Sequence, residues 1–369
     1  MKKYQEAESF VNQQFYEGTY DSNVKLRIGD KVNEKLEADN KAKDPEYYGH
    51  RDGVVHTSSL YGCMRGLVHQ AIGSPKTSAP DTRKLGIFKA GNLFEDFVVD
   101  SLGGLVLNRQ TEYLYKHKHL VVTGRDDGLL YHDEQYRLLE AKSVHSDSFW
   151  YRQREGVLVQ WHNQLQLMSY LWFRRILPFV YVFKNDVTGE EGEVWSNMTA
   201  EEVATYKKGN TFVKQIEKPA YADSIGGIFS YISKDDCTVE SAPVKFNENL
   251  INEIIIPVLD TVDSAYGTLV ESGLLENLKK AESEEAREIA QAEINEFIKK
   301  TVPAPDLAIY VEGKKQWQTN WLCKYNDYAE LCYGKGWVLE AGDLVKRKNK
   351  ELKEGAFASV MESVNNGNA

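Results

Sequence analysis

Between Leu105 and Lys142 short runs with strand character follow one another in quick succession: Leu105-Val106-Leu107, Glu112–Tyr115, Leu120–Thr123, Gly128–Tyr131 and Arg137–Lys142. They predict four or five mostly antiparallel strands. Amphipathic helices frame them. Leu60, Met64, Leu67, Val68 and Ile72 give a helical period over 58–73, with Ser58 or Ser59 as its cap. A second helix spans Lys84–Leu102, with Leu85, Phe88, Leu93, Phe97 and Val98 on its buried side. After the strands come a helix, Val159–Arg175, and another strand, Phe179–Lys184. That order fits an α/β or α+β core in which a mixed central sheet is flanked by helices.

Beyond this core, 200–217 reads as helix, 227–232 is ambiguous and 247–301 is helical. Its last stretch, Leu275–Lys300, carries i,i+4 pairs such as Glu276 with Lys280, which suits an exposed hairpin or projecting arm. Pro303 and Pro305 then introduce an aromatic, cysteine-bearing segment from Trp317 to Trp337. The expected division is an N-terminal extension (1–50), a core (51–195), a mainly helical insertion (196–302), a C-terminal segment closing back on the core (303–345) and a loose polar tail (346–369).

Composition narrows the class. With 42% hydrophobic and 27% charged residues among 369, the chain is ordinary globular sequence, which excludes wholesale disorder and fibrous repeats. No apolar run is long enough to span a bilayer, and Met1-Lys2-Lys3-Tyr4-Gln5-Glu6 does not lead into a signal core. Four cysteines are too sparse for a disulfide scaffold, so a reducing, cytoplasmic setting is expected. The net charge of −10 argues against coating nucleic acid by bulk electrostatics. Basic residues gather locally at Arg109 with Lys116-His117-Lys118-His119, at Arg152 with Arg154, and at Lys346-Arg347-Lys348 with Lys350. Each patch is either a solvated face or a contact for a polyanion.

The chemistry concentrates between Val121 and Lys142. Asp127 follows a Gly-Arg-Asp turn and opens one strand; Leu138-Leu139-Glu140-Ala141-Lys142 forms the next. Alternation puts Glu140 and Lys142 on one face, and pairing brings Asp127 alongside Glu140. Two carboxylates and a backbone carbonyl make a hard-oxygen site suited to Mg²⁺ or Mn²⁺, with a lysine beside it to act on an attacking water. The plainer alternative is a hairpin with a surface Glu–Lys pair.

Asp127 with Glu140-Ala141-Lys142 resembles the core of the PD-(D/E)XK nuclease superfamily, in particular its RecB-like branch, which includes the AddB nuclease domain, CRISPR-adaptation nucleases and phage exonucleases. Gly91-Asn92-Leu93-Phe94-Glu95 supplies an acid where that branch has a metal ligand. Gln166-Leu167-Met168-Ser169-Tyr170 matches its Gln-x-x-x-Tyr motif, with Gln and Tyr on one helix face. The resemblance implies Glu95, Asp127 and Glu140 as metal ligands, and Asp127, Glu140, Lys142, Gln166 and Tyr170 as the catalytic set.

The branch also carries an iron–sulfur cluster held by one cysteine before the core and three after it. Ser58-Ser59-Leu60-Tyr61-Gly62-Cys63-Met64-Arg65 resembles the first part, and the run from Cys323 to Cys332 the second. Asn326 stands where the middle cysteine falls, and a neutral amide is a poor replacement for a thiolate. Three readings stay open: Cys237 completes a [4Fe-4S] site with Cys63, Cys323 and Cys332; Asp327 or water completes it; or the cluster is lost and the cysteines pack as small hydrophobes.

The activity implied is metal-dependent hydrolysis of DNA phosphodiester bonds, as an exonuclease on ends or single strands in replication, recombination or repair. A separate helicase or recombination protein is the implied partner, and a phage or bacterial setting is suggested. The alternatives are a structure-selective endonuclease, or a non-catalytic DNA-binding or assembly protein that keeps the fold. In related enzymes the C-terminal segment closes over a single strand. The aromatics from Trp317 to Trp337 would then either stack on bases or form a local core.

Overall fold

A computed structural model of the chain describes residues 28–41, 52–74, 76–77, 82–147, 149–150, 161–223, 225–311, 315–320, 323 and 326–366. Most of the expected N-terminal extension, Arg152 with Arg154, and Trp321 and Tyr325 lie outside the described residues.

The strand run is shared between two mixed sheets rather than gathered in one. Strands β1 (Val54–His56), β3 (Glu112–His117), β4 (Leu120–Arg125), β7 (Phe179–Asn185), β8 (Glu191–Ser196) and β9 (Asn210–Ile216) form the first, ordered β1-β4-β3-β8-β7-β9. Strands β2 (Val106–Asn108), β5 (Gly128–His132), β6 (Gln135–Val144), β10 (Gly226–Ser233) and β11 (Val239–Val244) form the second, ordered β11-β10-β6-β5-β2. The pairs β1–β4, β3–β8 and β6–β10 are parallel and the rest antiparallel. The chain changes sheet at Asp126-Asp127, between the end of β4 and the start of β5. Alternation along a strand shows which face a residue takes but not which sheet the strand joins.

Five helices position the site and its surroundings: α1 (Ile28–Lys41), α2 (Met64–Ala71), α3 (Thr82–Leu102), α4 (Trp161–Ile176) and α5 (Ala200–Tyr206). Helix α4 contains neither glycine nor proline, and it stops before Pro178. It packs against β3 of the first sheet and β6 and β10 of the second. Leu165, Leu167, Met168, Leu171, Trp172 and Phe173 are all buried, and so are Asn163, Gln166, Ser169 and Arg174, so the helix is buried nearly all round, as expected for one placed between layers. At roughly 1.5–3 kcal/mol per buried side chain, it is a main source of core stability.

Several expectations change. Helix α2 starts at Met64 with Cys63 as its N-cap residue and no side-chain cap, while Thr57–Ser59 forms a separate tight turn. On α3, Leu85 and Val98 are buried with Val99, but Phe88, Leu93 and Phe97 are exposed. The segment 200–217 is not one helix. Thr199 and Glu202 form a capping box for α5. The chain then turns through Gly209 at φ +72° and becomes β9.

The helical region is no projecting arm. Helices α6 (Ile256–Glu271), α7 (Leu274–Lys280) and α8 (Glu284–Thr301) send Leu259, Val262, Leu269, Leu275, Ile294 and Ile298 into the main core. The expected Glu276–Lys280 pair is present on the exposed side at 3.1 Å. A hairpin of β12 (Ala308–Val311) and β13 (Gln316–Thr319) follows, then the short α9 (Ala329–Tyr333) and α10 (Trp337–Asn366). The stretch 346–366, expected as a loose tail, is wound into α10.

Candidate active site

The β5–β6 hairpin brings the acidic residues together. Gly128 pairs with Leu139, and extending that register by one residue sets Asp127 across from Glu140. The Asp127 carboxylate accepts a 2.6 Å hydrogen bond from the backbone N–H of Ala141, fixing it against β6. Glu140 is fully buried and ion-paired with Lys142 two residues on. This excludes the surface Glu–Lys pair.

That burial is costly, and the charges show it. Burial, with repulsion from Glu140 and Glu95, holds Asp127 well above the usual carboxylate range. Burial likewise raises Glu140, with Lys142 opposing. Burial alone would push the Lys142 ammonium down, but Glu140 and Asp127 reverse this and hold it above its ordinary value. Glu140 Oε1 is met by the Lys142 ammonium, whereas Oε2 has no hydrogen-bond partner. A buried carboxylate oxygen without a donor is expensive.

Helix α4 supplies the next shell. Gln166 and Tyr170 lie one turn apart, and the Gln166 amide donates to the Tyr170 hydroxyl at 3.1 Å. Together with Asp127 and Arg125 they line a cleft of about 510 Å³. Tyr170 reaches it because residue 124 is glycine: a Cβ there would sit 2.6 Å from the tyrosine ring.

Glu95 lies close enough to Asp127 and Glu140 for its charge to raise both, without being grouped with them as a three-carboxylate set. It sits on α3, held over the second sheet by Val98 and Val99 packing on Leu130, Leu139 and Ile232, and its carboxylate accepts a hydrogen bond from Gln110 at 3.1 Å. Among the described residues, no group of three or more His, Cys, Asp or Glu side chains is arranged to hold a metal ion. Asp127 and Glu140 nevertheless fit a divalent cation. Their charges repel each other, and Glu140 Oε2 faces no donor.

One buried network escaped the sequence reading. Asp126 and Arg174 are both fully buried and paired at 3.1 Å. Tyr113 donates to Asp126 at 2.5 Å, and Arg174 donates through Nε to Tyr113 at 2.7 Å and through Nη2 to Thr111 at 3.0 Å. Arg174 follows Gln166 and Tyr170 at the same four-residue spacing. That continuation was the signal available in the sequence.

The cysteines divide. Cys63, Cys323 and Cys332 are buried, while Cys237 lies exposed on the β10–β11 turn with φ +58°. The Cys332 thiol donates a hydrogen bond to the Cys63 sulfur, which lowers Cys63 to about 6; both cysteines are free. Cys323 bonds the Tyr333 hydroxyl at 3.2 Å. The Asn326 amide donates to Cys332 at 3.4 Å and its oxygen accepts from the Tyr328 N–H at 3.0 Å. It packs so closely on α2 that a Cβ on Gly66 would meet it at 2.7 Å. Three thiols and a committed amide do not fit a four-thiolate cluster. Tyr328 and Trp337 are buried, so these aromatics serve a local core.

The basic patches are largely neutralised. Lys116 pairs with Glu202, His117 and Lys118 with Asp260, His119 with Asp263, and Arg109 with Asp96 and Asp100. Lys348 lies over the Trp317 ring. None of the helices in the described residues is long and apolar enough to cross a membrane.

No family model matches the chain, and no curated protein is significantly similar to it. Among solved structures, one described as "Crystal structure of SSO0001" is similar over 63% of this chain and 85% of its own, at 14% identity and a TM-score of 0.33. A likeness that slight leaves the site to be read from its own chemistry.

Proposed function

We propose that the chain is a metal-dependent nuclease of the PD-(D/E)XK type, hydrolysing DNA phosphodiester bonds as an exonuclease on ends or single strands. The observation that carries this reading is the burial of Asp127, Glu140 and Lys142 together beside an open cleft, with Lys142 on one Glu140 oxygen and no donor on the other. A purely structural hairpin gains nothing from that arrangement.

Asp127 and Glu140 would hold Mg²⁺ or Mn²⁺, which supplies Lewis-acid activation of the phosphate and of the attacking water. The protein's own residues do the rest. Lys142, held protonated by its two carboxylate neighbours, orients the water and offsets charge that builds on the phosphate, rather than removing a proton itself. Gln166 fixes the Tyr170 hydroxyl, and the pair positions substrate at the cleft wall. The Ala141 N–H keeps Asp127 aimed across the hairpin.

The test is cleavage of end-labelled linear single- and double-stranded DNA beside a closed circle, in Mg²⁺ and in Mn²⁺. Linear DNA is expected to shorten from its ends while the circle survives. Lys142→Ala should lower the rate by about 100-fold or more with the fold intact. Undiminished cleavage by Lys142→Ala overturns the assignment. Binding without cleavage by the wild type favours an assembly or DNA-binding role.

A further inference from the structure

The cleft of Asp127 and Tyr170 does not end at the carboxylates. It continues into a second hollow of about 590 Å³, and His56, Ser58 and Gln70 line both. The two form one trough. In the wall of the second hollow stands Tyr61, in the turn before α2, close enough for Lys142 and Glu140 to act on its hydroxyl. His162, from the first turn of α4, places its ring 5.0 Å from that of Tyr61, tilted by 36°. Both residues line the second hollow.

The chemistry of this hollow differs from that of the first. Its lysine, Lys76, is already paired with Asp327 at 2.9 Å, so it does not offer a free cation for a phosphate. What remains is an aromatic pair with amide and hydroxyl groups around it, in a volume within the range for small-molecule sites. A planar, uncharged group with hydrogen-bonding edges suits such walls. Nucleobases stack on aromatic side chains with little regard to sequence.

We propose that the second hollow is a nucleobase subsite, which takes the base of a nucleotide neighbouring the scissile phosphate of a single strand and stacks it on Tyr61 and His162. The assignment rests on the nuclease reading of Asp127, Glu140 and Lys142, and it adds the residues that hold the strand in register. Tyr61 and His162 are positioning residues: they act on where the phosphate lies, not on the bond that breaks.

The experiment pairs variants with abasic oligonucleotides. Single strands carrying one abasic site at successive positions are bound in Ca²⁺ and cleaved in Mn²⁺, using the full chain, Tyr61→Ala, Tyr61→Phe and His162→Ala. In the wild type, one abasic position is expected to weaken binding and raise KM by about 5- to 100-fold, the range of one lost stack, with kcat little changed. In Tyr61→Ala that position should become insensitive, because the stack is already gone. Tyr61→Phe, which keeps the ring, should restore the wild-type pattern, and His162→Ala should fall between.

Equal sensitivity at every position, or a Tyr61→Ala loss that simply adds to the abasic loss, overturns the subsite while cleavage keeps the nuclease reading. Position-specific binding in Ca²⁺ without cleavage in any metal supports the subsite and overturns the nuclease reading. No binding of any strand overturns both.

Discussion

Adjacent aspartates carry opposite burdens in this protein. Asp127 faces two other acids with too little positive charge, whereas Asp126 is met by a guanidinium, a phenol and a backbone N–H. Asp127→Asn is therefore expected to raise thermal stability, by about 0.5–2 kcal/mol, while it removes cleavage. Calorimetry beside the cleavage assay checks both halves, and a destabilised Asp127→Asn would contradict the electrostatic reading. His69 gives a pH dependence. It is buried on α2, bonds Ser74 through Nδ1 at 3.1 Å, and leaves Nε2 without a partner. Burial, with Arg65 and Lys299 nearby, lowers it from 6.5 to about 4. The unfolded chain then binds the extra proton between those values, so stability should fall as pH drops from 6.5 towards 4, by roughly 3 kcal/mol in all. Denaturant midpoints across that range, set against His69→Gln, should show the slope in the wild type and a flatter profile in the variant.

At the scale of elements, the junction between the sheets is held from α4. Arg174 spans from that helix to β3 and to the β4–β5 junction, and its guanidinium also lies 4.5 Å from the centre of the Trp195 ring on β8. Arg174→Met should cost about 3–5 kcal/mol, because it leaves Asp126 buried without its counter-charge. Adding Asp126→Asn should recover part of that loss, and a double-mutant cycle on urea midpoints reads the coupling. Arg65 works similarly at another seam: it donates to the carbonyls of Lys299, Val302 and Cys332, tying α2 to the end of α8 and to α9. These elements mark the limit of what the sequence alone conveys. Periodicity located β3 to β7 and α4 because their signals are local, and the Asp127, Glu140 and Lys142 set followed from alternation on one hairpin. The split into two sheets depends on partners far along the chain, as does the addition of β10 to β6. Glu95 came from the family resemblance, and its nearness to Asp127 and Glu140 depends on how α3 packs over the second sheet, which helical spacing does not convey. The burial of α7 and α8 was missed because a face rich in Glu and Lys hid a narrow apolar stripe.

For the whole molecule, net charge and local pairing point the same way. A chain at −10 whose basic clusters are mostly tied to Asp and Glu has few free cations with which to displace counterions from DNA. The affinity for single strands should therefore fall only shallowly with salt, with a log–log slope of about −3 or smaller in magnitude. Lys116→Ala and Lys118→Ala should leave that slope unchanged. Anisotropy titrations from low to moderate salt measure both, and a steep slope would reveal a basic track outside these clusters. The pairing of β6 has a further consequence, for how the protein is made. One edge of β6 closes at once on β5, but the other waits for β10, with Glu140 opposite Phe229 nearly ninety positions later. A nascent chain has therefore displayed every acid, amide and phenol of the catalytic set long before the strand bearing Glu140 gains its second neighbour. During that interval β6 is an open template for foreign strands. A fragment cut after Ser196 would carry the complete motif yet be expected to precipitate rather than work, so residues remote from the chemistry govern whether the motif ever becomes an enzyme.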